Sequence, residues 1–287
     1  MATLAVLAHH DPQGEVARHV RYAVGQVRSV ADELVFVTTS GSLDARSRAA
    51  IDGVDALIQR PNTGYDFYSW HTGLCSVADW QDYVRVILAN DSFVGPLVGV
   101  QHLLQDAQDR GADVYGITVS PQGVRHVQSY FTVMGPRALA NADVRRFWSE
   151  LEPVDDRLQV IQRYELGFGR TVANAGLTLG SYFAASPHEE RVMAARMASV
   201  ARPPATKTLA AAAAYWLQPI RQATESPVLG LWDRVFLDLR LPAVKVSLFT
   251  RDPYRIDRGA VLARLTELFP EAFEGFDAYL RRRGIDV

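Results

Sequence analysis

The 287-residue sequence is poor in cysteine and in lysine. Its one cysteine, Cys75, excludes an internal disulfide framework and fits a reducing compartment. A small buried apolar side chain is the role expected of it. Lysine occurs only as Lys207 and Lys245, and every other basic residue is arginine. A lysine in a site would therefore stand out; for Lys245, in Val244-Lys245-Val246, contact with a phosphate is conceivable and a solvated side chain is the simpler expectation. The formal net charge of −2 offers no bulk charge for nucleic acid or an anionic membrane. No apolar run is long enough to span a bilayer. The opening MATLAVLAHHDPQG has a short apolar run with no basic lead, and reads as a first strand, not a signal peptide. A cytoplasmic location is expected. The sequence has no Gly-x-x-x-x-Gly-Lys-Ser/Thr, no Gly-x-Gly-x-x-Gly after the first strand and no Cys/His zinc spacing, which argues against P-loop, dinucleotide and zinc-hydrolase chemistry.

What is present is an alternation of strands and helices. Strands are expected at Thr3–Ala8, Glu33–Thr39, Ala56–Ile58 and Tyr83–Leu88, with helices at Glu15–Val30 and Leu43–Ile51 between them. This order predicts an α/β fold with a mostly parallel sheet flanked by helices. A helix over Pro96–Arg110, strands over Val114–Val119 and Val127–Met134, helices over Asp143–Leu151 and Asp156–Ala175, and a short strand within Leu177–Ala184 continue it. Ala194–Ala214 is alanine-rich, interrupted by Arg202-Pro203-Pro204, which reads as a linker or a bend. From Trp216 onward the chain reads as mostly helical, with Trp232, Phe236 and Leu239 as core. The expected division is an α/β domain over 1–185 and a helical region over 186–287 packed on it.

Four constellations could carry chemistry. The first is Asn90-Asp91-Ser92 at the end of the fourth strand, where open α/β sheets bind ligands. Its oxygen groups suit Mg²⁺ or Mn²⁺ bridging a diphosphate; an Asx turn capping the next helix is the plainer reading. The second is the loop Arg60-Pro61-Asn62-Thr63-Gly64-Tyr65-Asp66. Gly64 permits a positive φ, Asp66 could accept from a ribose or base, and Arg60 could face phosphate; otherwise the loop is a surface turn. The third is Glu165, placed by spacing on an apolar stripe with Leu158, Ile161, Phe168 and Val172. That position implies either an interior arginine partner or a base with a raised pKa. The fourth is His126, Gln128 and Tyr130, which alternate onto one strand face suited to a hydroxyl-rich ligand. His9 and His10 end the first strand on opposite sides, a poor metal pair, with at least one able to line a nucleotide pocket.

These segments together resemble the rhamnan synthesis protein F family. The resemblance is carried by Arg60 through Trp70, by Asn90-Asp91-Ser92 with Gly95-Pro96, and by His126 through Phe131. Phe147-Trp148, Tyr164-Glu165 and the late stretch Pro227…Trp232…Leu241-Pro242…Lys245…Arg251-Asp252-Pro253 continue it over most of the chain. The family is associated with bacterial surface polysaccharide assembly and rhamnosyl transfer, and is similar to GT-A glycosyltransferases. The resemblance implies a GT-A-like, Rossmann-related fold. It implies Asn62 and Gly64 in the nucleotide-sugar loop and Asp91 in the metal/diphosphate position, with Mg²⁺ or Mn²⁺ as cofactor; the reading of the residues adds His9, Arg60, Tyr65, Asp66 and Asn90 to the expected nucleotide-sugar site. Glu165, or failing it Asp66, falls in the base position, and His126, Gln128 and Tyr130 would orient the acceptor. Two departures stand out: Asn90-Asp91-Ser92 has one carboxylate where Asp-x-Asp has two, and Tyr164-Glu165-Leu166 lacks a second acid.

The expected activity is transfer of a hexose, with rhamnose the sugar implied, from a nucleoside-diphosphate sugar to a hydroxyl of a glycan or lipid-linked acceptor. The alternative is a non-catalytic nucleotide-sugar or carbohydrate-binding protein on the same fold. No nucleic-acid partner is expected. Peripheral attachment at the inner membrane face and homodimer formation through the helical region both stay open.

Overall fold

The computed structural model describes residues 2–121, 123–200 and 226–287. The expectations for Arg202–Pro204, Lys207 and Trp216 lie outside the described residues. Strands β1 (Thr3–His9), β2 (Glu33–Thr38), β3 (Ala56–Gln59) and β4 (Arg85–Asn90) run parallel in the order β3-β2-β1-β4. The short β5 (Phe93–Val94) follows β4 outside this sheet. Beyond β4 the sheet continues with β6 (Val114–Ser120), β7 (His126–Val127), β8 (Phe131–Met134) and β9 (Leu179–Phe183). β8 lies antiparallel between β4 and β6, β7 is antiparallel to β6, and β9 is parallel to it. The result is a mixed, mostly parallel sheet with helices on both faces, as the alternation of elements predicts.

The apolar runs are continuous because both faces are covered, the usual state of parallel strands. Along β1 successive side chains alternate. Leu4, Val6 and Ala8 face a core built with Phe67, Trp70 and Leu74 of the helix Tyr65–Cys75 and with Trp148, Phe168 and Val172. Ala5 and Leu7 face the opposite core, with Val20, Val24 and Val27 of the helix Arg18–Arg28. That second core is completed by Val228, Leu248, Phe249, Phe273 and Phe276. The chain after Ser226 thus covers one face of the sheet, and Val228, Leu231 and Val235 are its buried contacts. Trp232 and Phe236 pack against this core half-buried, whereas Leu239, expected inside, is 56% exposed.

The structure departs from the sequence-based reading at five places. The helix expected from Pro96 begins at Val100, because Gly99 before it stands at φ 79° and ψ 139°, outside the helical region. The strand expected over Val127–Met134 divides into β7 and β8, and residues 128–130 bulge out of the ladder between them. The helix expected over Asp156–Ala175 carries a π turn at Ile161–Glu165 between α-helical segments Arg157–Val160 and Leu166–Asn174. The wider turn puts Val160, Tyr164, Phe168 and Val172 inward and leaves Leu158 69% exposed. Cys75, expected buried, is exposed at the end of its helix, with Sγ 3.6 Å from His71 Nδ1. A strand was not expected near the C-terminus, yet β10 (Val244–Lys245) pairs antiparallel with β5.

Candidate active site

The carboxyl ends of β1 and β4 open on a cavity of about 740 Å³. β1 contributes His9, His10 and Asp11; the helix Tyr65–Cys75 contributes Tyr65 and Asp66; β4 and its exit contribute Asn90, Asp91 and Ser92. His126 and the bulge residues Gln128, Ser129 and Tyr130 form the opposite wall with Glu165 from the π turn. The C-terminal region closes the third side with Ser226, Lys245, Arg251, Tyr279 and Arg283. Nine of the residues singled out in the sequence therefore meet here: His9, Tyr65, Asp66, Asn90, Asp91, His126, Gln128, Tyr130 and Glu165.

Arg60, Asn62 and Gly64 do not line the cavity. The Arg60 guanidinium is used inside its own loop. It donates to the carbonyls of Pro61 (3.0 Å), Thr63 (2.5 Å) and Tyr65 (2.8 Å) and to Ser69 Oγ (2.7 Å). Facing a phosphate would leave those carbonyls without their donor. Gly64 caps the Tyr65–Cys75 helix at φ 71°, and its N–H is bound to Asp155 Oδ1 at 3.0 Å. A Cβ there would stand 2.6 Å from Tyr68 Cβ and 3.0 Å from Pro153 Cα, so the glycine serves the backbone. Asn62 is exposed. In this structure the loop places Tyr65 and Asp66 at the cavity, and Arg60, Asn62 and Gly64 stand outside its lining.

The centre of the site is an Asn90-based network. Asn90 Nδ2 donates to Asp66 Oδ2 at 2.8 Å and to the Ser129 carbonyl at 3.1 Å. Its Oδ1 accepts from Ser92 N (3.1 Å) and Ser92 Oγ (2.6 Å). The Asx turn foreseen here is thus made by Asn90, and neither Asp91 nor Ser92 caps a helix. Asp91 Oδ2 accepts from the His10 N–H at 2.7 Å. Burial pushes Asp66 up to about 6, with the Asp91 charge adding to the shift. Burial likewise pushes Asp91 up to about 6, against the His10 N–H, which favours its ionised form.

Among the described residues no group of three or more His, Cys, Asp or Glu side chains stands together as a metal-ligand set. His9 is buried, bound through Nδ1 to Thr38 Oγ1 and through Nε2 to the Glu15 carbonyl. His10 is bound to Thr39 Oγ1. Asp66 holds an amide, and Ser92 Oγ already donates to Asn90 and accepts from Lys245. The described residues alone present no preformed ligand set for Mg²⁺ or Mn²⁺.

On the opposite wall, Glu165 Oε1 accepts from the Ser129 N–H and Oγ, each at 3.2 Å, and lies 3.9 Å from His126 Nε2. Among the described residues no arginine pairs with it, contrary to one of the two roles expected. Gly169 lets its helix come this close to β7: a Cβ there would be 2.7 Å from His126 Cβ. Gln128 Oε1 accepts from Thr118 Oγ1 (2.7 Å) and Ser226 Oγ (2.8 Å), which leaves its amide nitrogen for a ligand. Tyr130 was expected to orient an acceptor. Its hydroxyl is instead buried against Thr118 at 2.7 Å, and its ring face lies 4.4 Å from Lys245 Nζ.

The residues that sequence reasoning weighted lightly or passed over come mainly from the C-terminal region. Lys245, expected in solvent, is half-buried and donates to Ser92 Oγ at 2.8 Å. Arg283 binds Asp11 Oδ2 at 2.5 Å and lies over the Tyr279 ring. Arg157 and Arg251 stand exposed at the cavity mouth. Scarcity of lysine was the one signal that could have singled out Lys245. No helix among the described residues is long and apolar enough to cross a membrane.

Comparison with known proteins agrees with the motifs. The model of the family described as Rhamnan synthesis protein F matches residues 34–206. The uncharacterized protein y4gN of Sinorhizobium fredii is 20% identical over 188 residues, 64% of this chain and 49% of that protein. Virulence protein VirA of Vibrio anguillarum is 30% identical over 128 residues, 43% of this chain and 40% of that protein. The match spans about half the length of these relatives or less. Among solved structures, residues 1–349 of S. aureus TarS superpose with a TM-score of 0.40 at 12% identity, covering 99% of this chain and 92% of that one.

Proposed function

We propose that this chain, which belongs to the rhamnan synthesis protein F family, is a GT-A-like glycosyltransferase that moves a sugar from a nucleoside-diphosphate donor to an acceptor hydroxyl. One observation carries this reading. Two acidic segments distant in sequence converge at the carboxyl edge of a parallel sheet, joined by the Asn90–Asp66 hydrogen bond of 2.8 Å, and face a cavity whose far wall holds Glu165. That edge is where open α/β sheets take nucleotides. The family's part in rhamnan synthesis supports rhamnose as the sugar and a glycan or lipid-linked acceptor. Residues 1–185 would hold the donor, and 186–287 would close the cavity over it.

Glu165 is the base of this scheme. With one oxygen held by Ser129, it takes the proton of the acceptor hydroxyl as that oxygen attacks the anomeric carbon. The bond from that carbon to the diphosphate breaks, and the nucleoside diphosphate leaves with the electron pair. Attack from the far wall suits inversion. Asp66 is the second candidate, favoured by a pKa raised towards neutrality. Asp91 and the His10 N–H fix the donor edge of the cavity, and the Gln128 amide orients the acceptor. No step is assigned to a metal, because the described residues alone present no preformed ligand set for it.

The test is transfer, or slow donor hydrolysis, with a panel of nucleoside-diphosphate sugars. Asp91→Ala should abolish turnover in a folded protein, and full activity in that variant would remove Asp91 from the scheme. Calorimetric binding of a donor with no turnover would favour a non-catalytic binding protein, the reading to which the single carboxylate at Asp91 lends weight.

A further inference from the structure

Lys245 is the only lysine among the described residues, and tertiary structure carries it into the acid cluster. The two-residue ladder of β5 and β10 pairs Lys245 with Phe93, and the Val246 N–H binds the Ser92 carbonyl at 3.0 Å. The register sets the ammonium beside the exit of β4. There Nζ donates to Ser92 Oγ at 2.8 Å and sits 4.4 Å from the centre of the Tyr130 ring. An aromatic face at this distance favours a cation. The charges of Asp66, Glu165 and Asp91 all act on it, yet none lies within ion-pair distance. An ammonium has three N–H donors. One is on Ser92, and no other acceptor among the described residues takes the remaining two. The site therefore holds a cation at the cavity lining, with three carboxylates beyond ion-pair distance.

We propose that Lys245 binds the diphosphate of the donor and stabilises the leaving group as its charge develops, so that binding and turnover need no divalent metal. This rests on the glycosyltransferase reading above and goes beyond it. In a metal-dependent site, carboxylates hold an ion that bridges the phosphates. Here Asn90-Asp91-Ser92 has one carboxylate, and the Ser92 hydroxyl beside it holds an ammonium. The same electrostatic help comes from a side chain. Burial lowers Lys245 to about 8, against the pull of the three carboxylates, so it remains mostly charged at neutral pH.

The experiment is calorimetry with inorganic pyrophosphate, uridine diphosphate and thymidine diphosphate, in EDTA and then with Mn²⁺. Wild-type protein should bind in EDTA, with little gain from Mn²⁺. Lys245→Met should weaken binding about 10- to 100-fold at an unchanged melting temperature, and Lys245→Arg should restore most of it. Should Lys245→Met fail to fold, acetylation of the wild-type chain replaces it: pyrophosphate in EDTA should slow labelling of Lys245 but not of Lys207. Binding that appears only with Mn²⁺, a Lys245→Met variant that binds like wild type, or absence of protection overturns the proposal. Lys245-dependent pyrophosphate binding without turnover of any nucleotide sugar would uphold Lys245 as a metal-free diphosphate site and remove both its leaving-group role and the glycosyltransferase reading. Turnover that requires metal would do the reverse.

Discussion

The loop at residues 60–64 and the two-residue strand β10 each bring a basic side chain to the same edge of the sheet, and they use it in opposite ways. Arg60 directs its donors at its own loop carbonyls and at Ser69. Lys245 makes one hydrogen bond among the described residues, to Ser92, and lines the cavity. The loop looks like a binding motif in sequence, with its glycine, amide and arginine, yet it works as a frame. The strand looks ordinary and faces the ligand space. What separates them is where the donors are already satisfied. A guanidinium whose N–H groups are met by fixed carbonyls cannot turn to a phosphate without leaving those carbonyls unpaired. The same division extends around the cavity, between residues that face it and residues that hold its shape.

Substitutions should fall on one side or the other of that division. Glu165→Gln, on the facing side, should lower kcat about 10²- to 10⁴-fold with the melting temperature kept. A rate within a fewfold of wild type would move the base to Asp66. Gly169→Ala, on the framing side, should cost about 1–3 kcal/mol in chemical denaturation, because the new methyl meets His126 Cβ. It should also lower activity modestly by displacing Glu165. Arg60→Ala should cost about 1–2 kcal/mol of stability while nucleoside-diphosphate affinity per folded molecule is unchanged. A large loss of affinity at full stability would place Arg60 among the facing residues after all.

The smallest effect concerns His19, which lies at the cavity between the rings of Phe276 and Tyr279. Neither of its nitrogens reaches a hydrogen-bond partner. Burial lowers its pKa from 6.5 to about 3, and the nearby Asp91 backbone offsets this only in part. The sign follows from linkage: the unfolded chain takes up a proton below 6.5 that the folded chain refuses until about 3. Stability linked to His19 is therefore lost as the pH falls through that window. In denaturant titrations at about pH 7 and about pH 4, His19→Phe should gain on wild type at the lower pH. An equal difference at both would show that His19 does not titrate on unfolding.

Much of the sheet was legible in the sequence. β1, β2 and β6 are apolar runs closed by polar residues, and the exits of β1 and β4 mark the ligand edge. Glu165 was legible as a site residue but for a different reason, since spacing placed it on the buried stripe. The π turn at Ile161–Glu165 puts Tyr164 inward and gives Glu165 to the cavity. The bulge at 128–130 was not legible, because it arises from the registers of β7 and β8 on β6, which depend on partners and not on local pattern.

The sequence alone determined most of the elements and the acids at the ends of β1 and β4, since hydrophobic periodicity and strand exits are local properties. It did not determine which charges meet. Ser92 and Lys245 are 153 positions apart and are joined only because β10 pairs with β5. It likewise could not show that Arg60 is occupied by its own loop. Both outcomes depend on backbone donors and acceptors finding partners across the folded chain, and those pairings exist only once the C-terminal region has packed on the sheet.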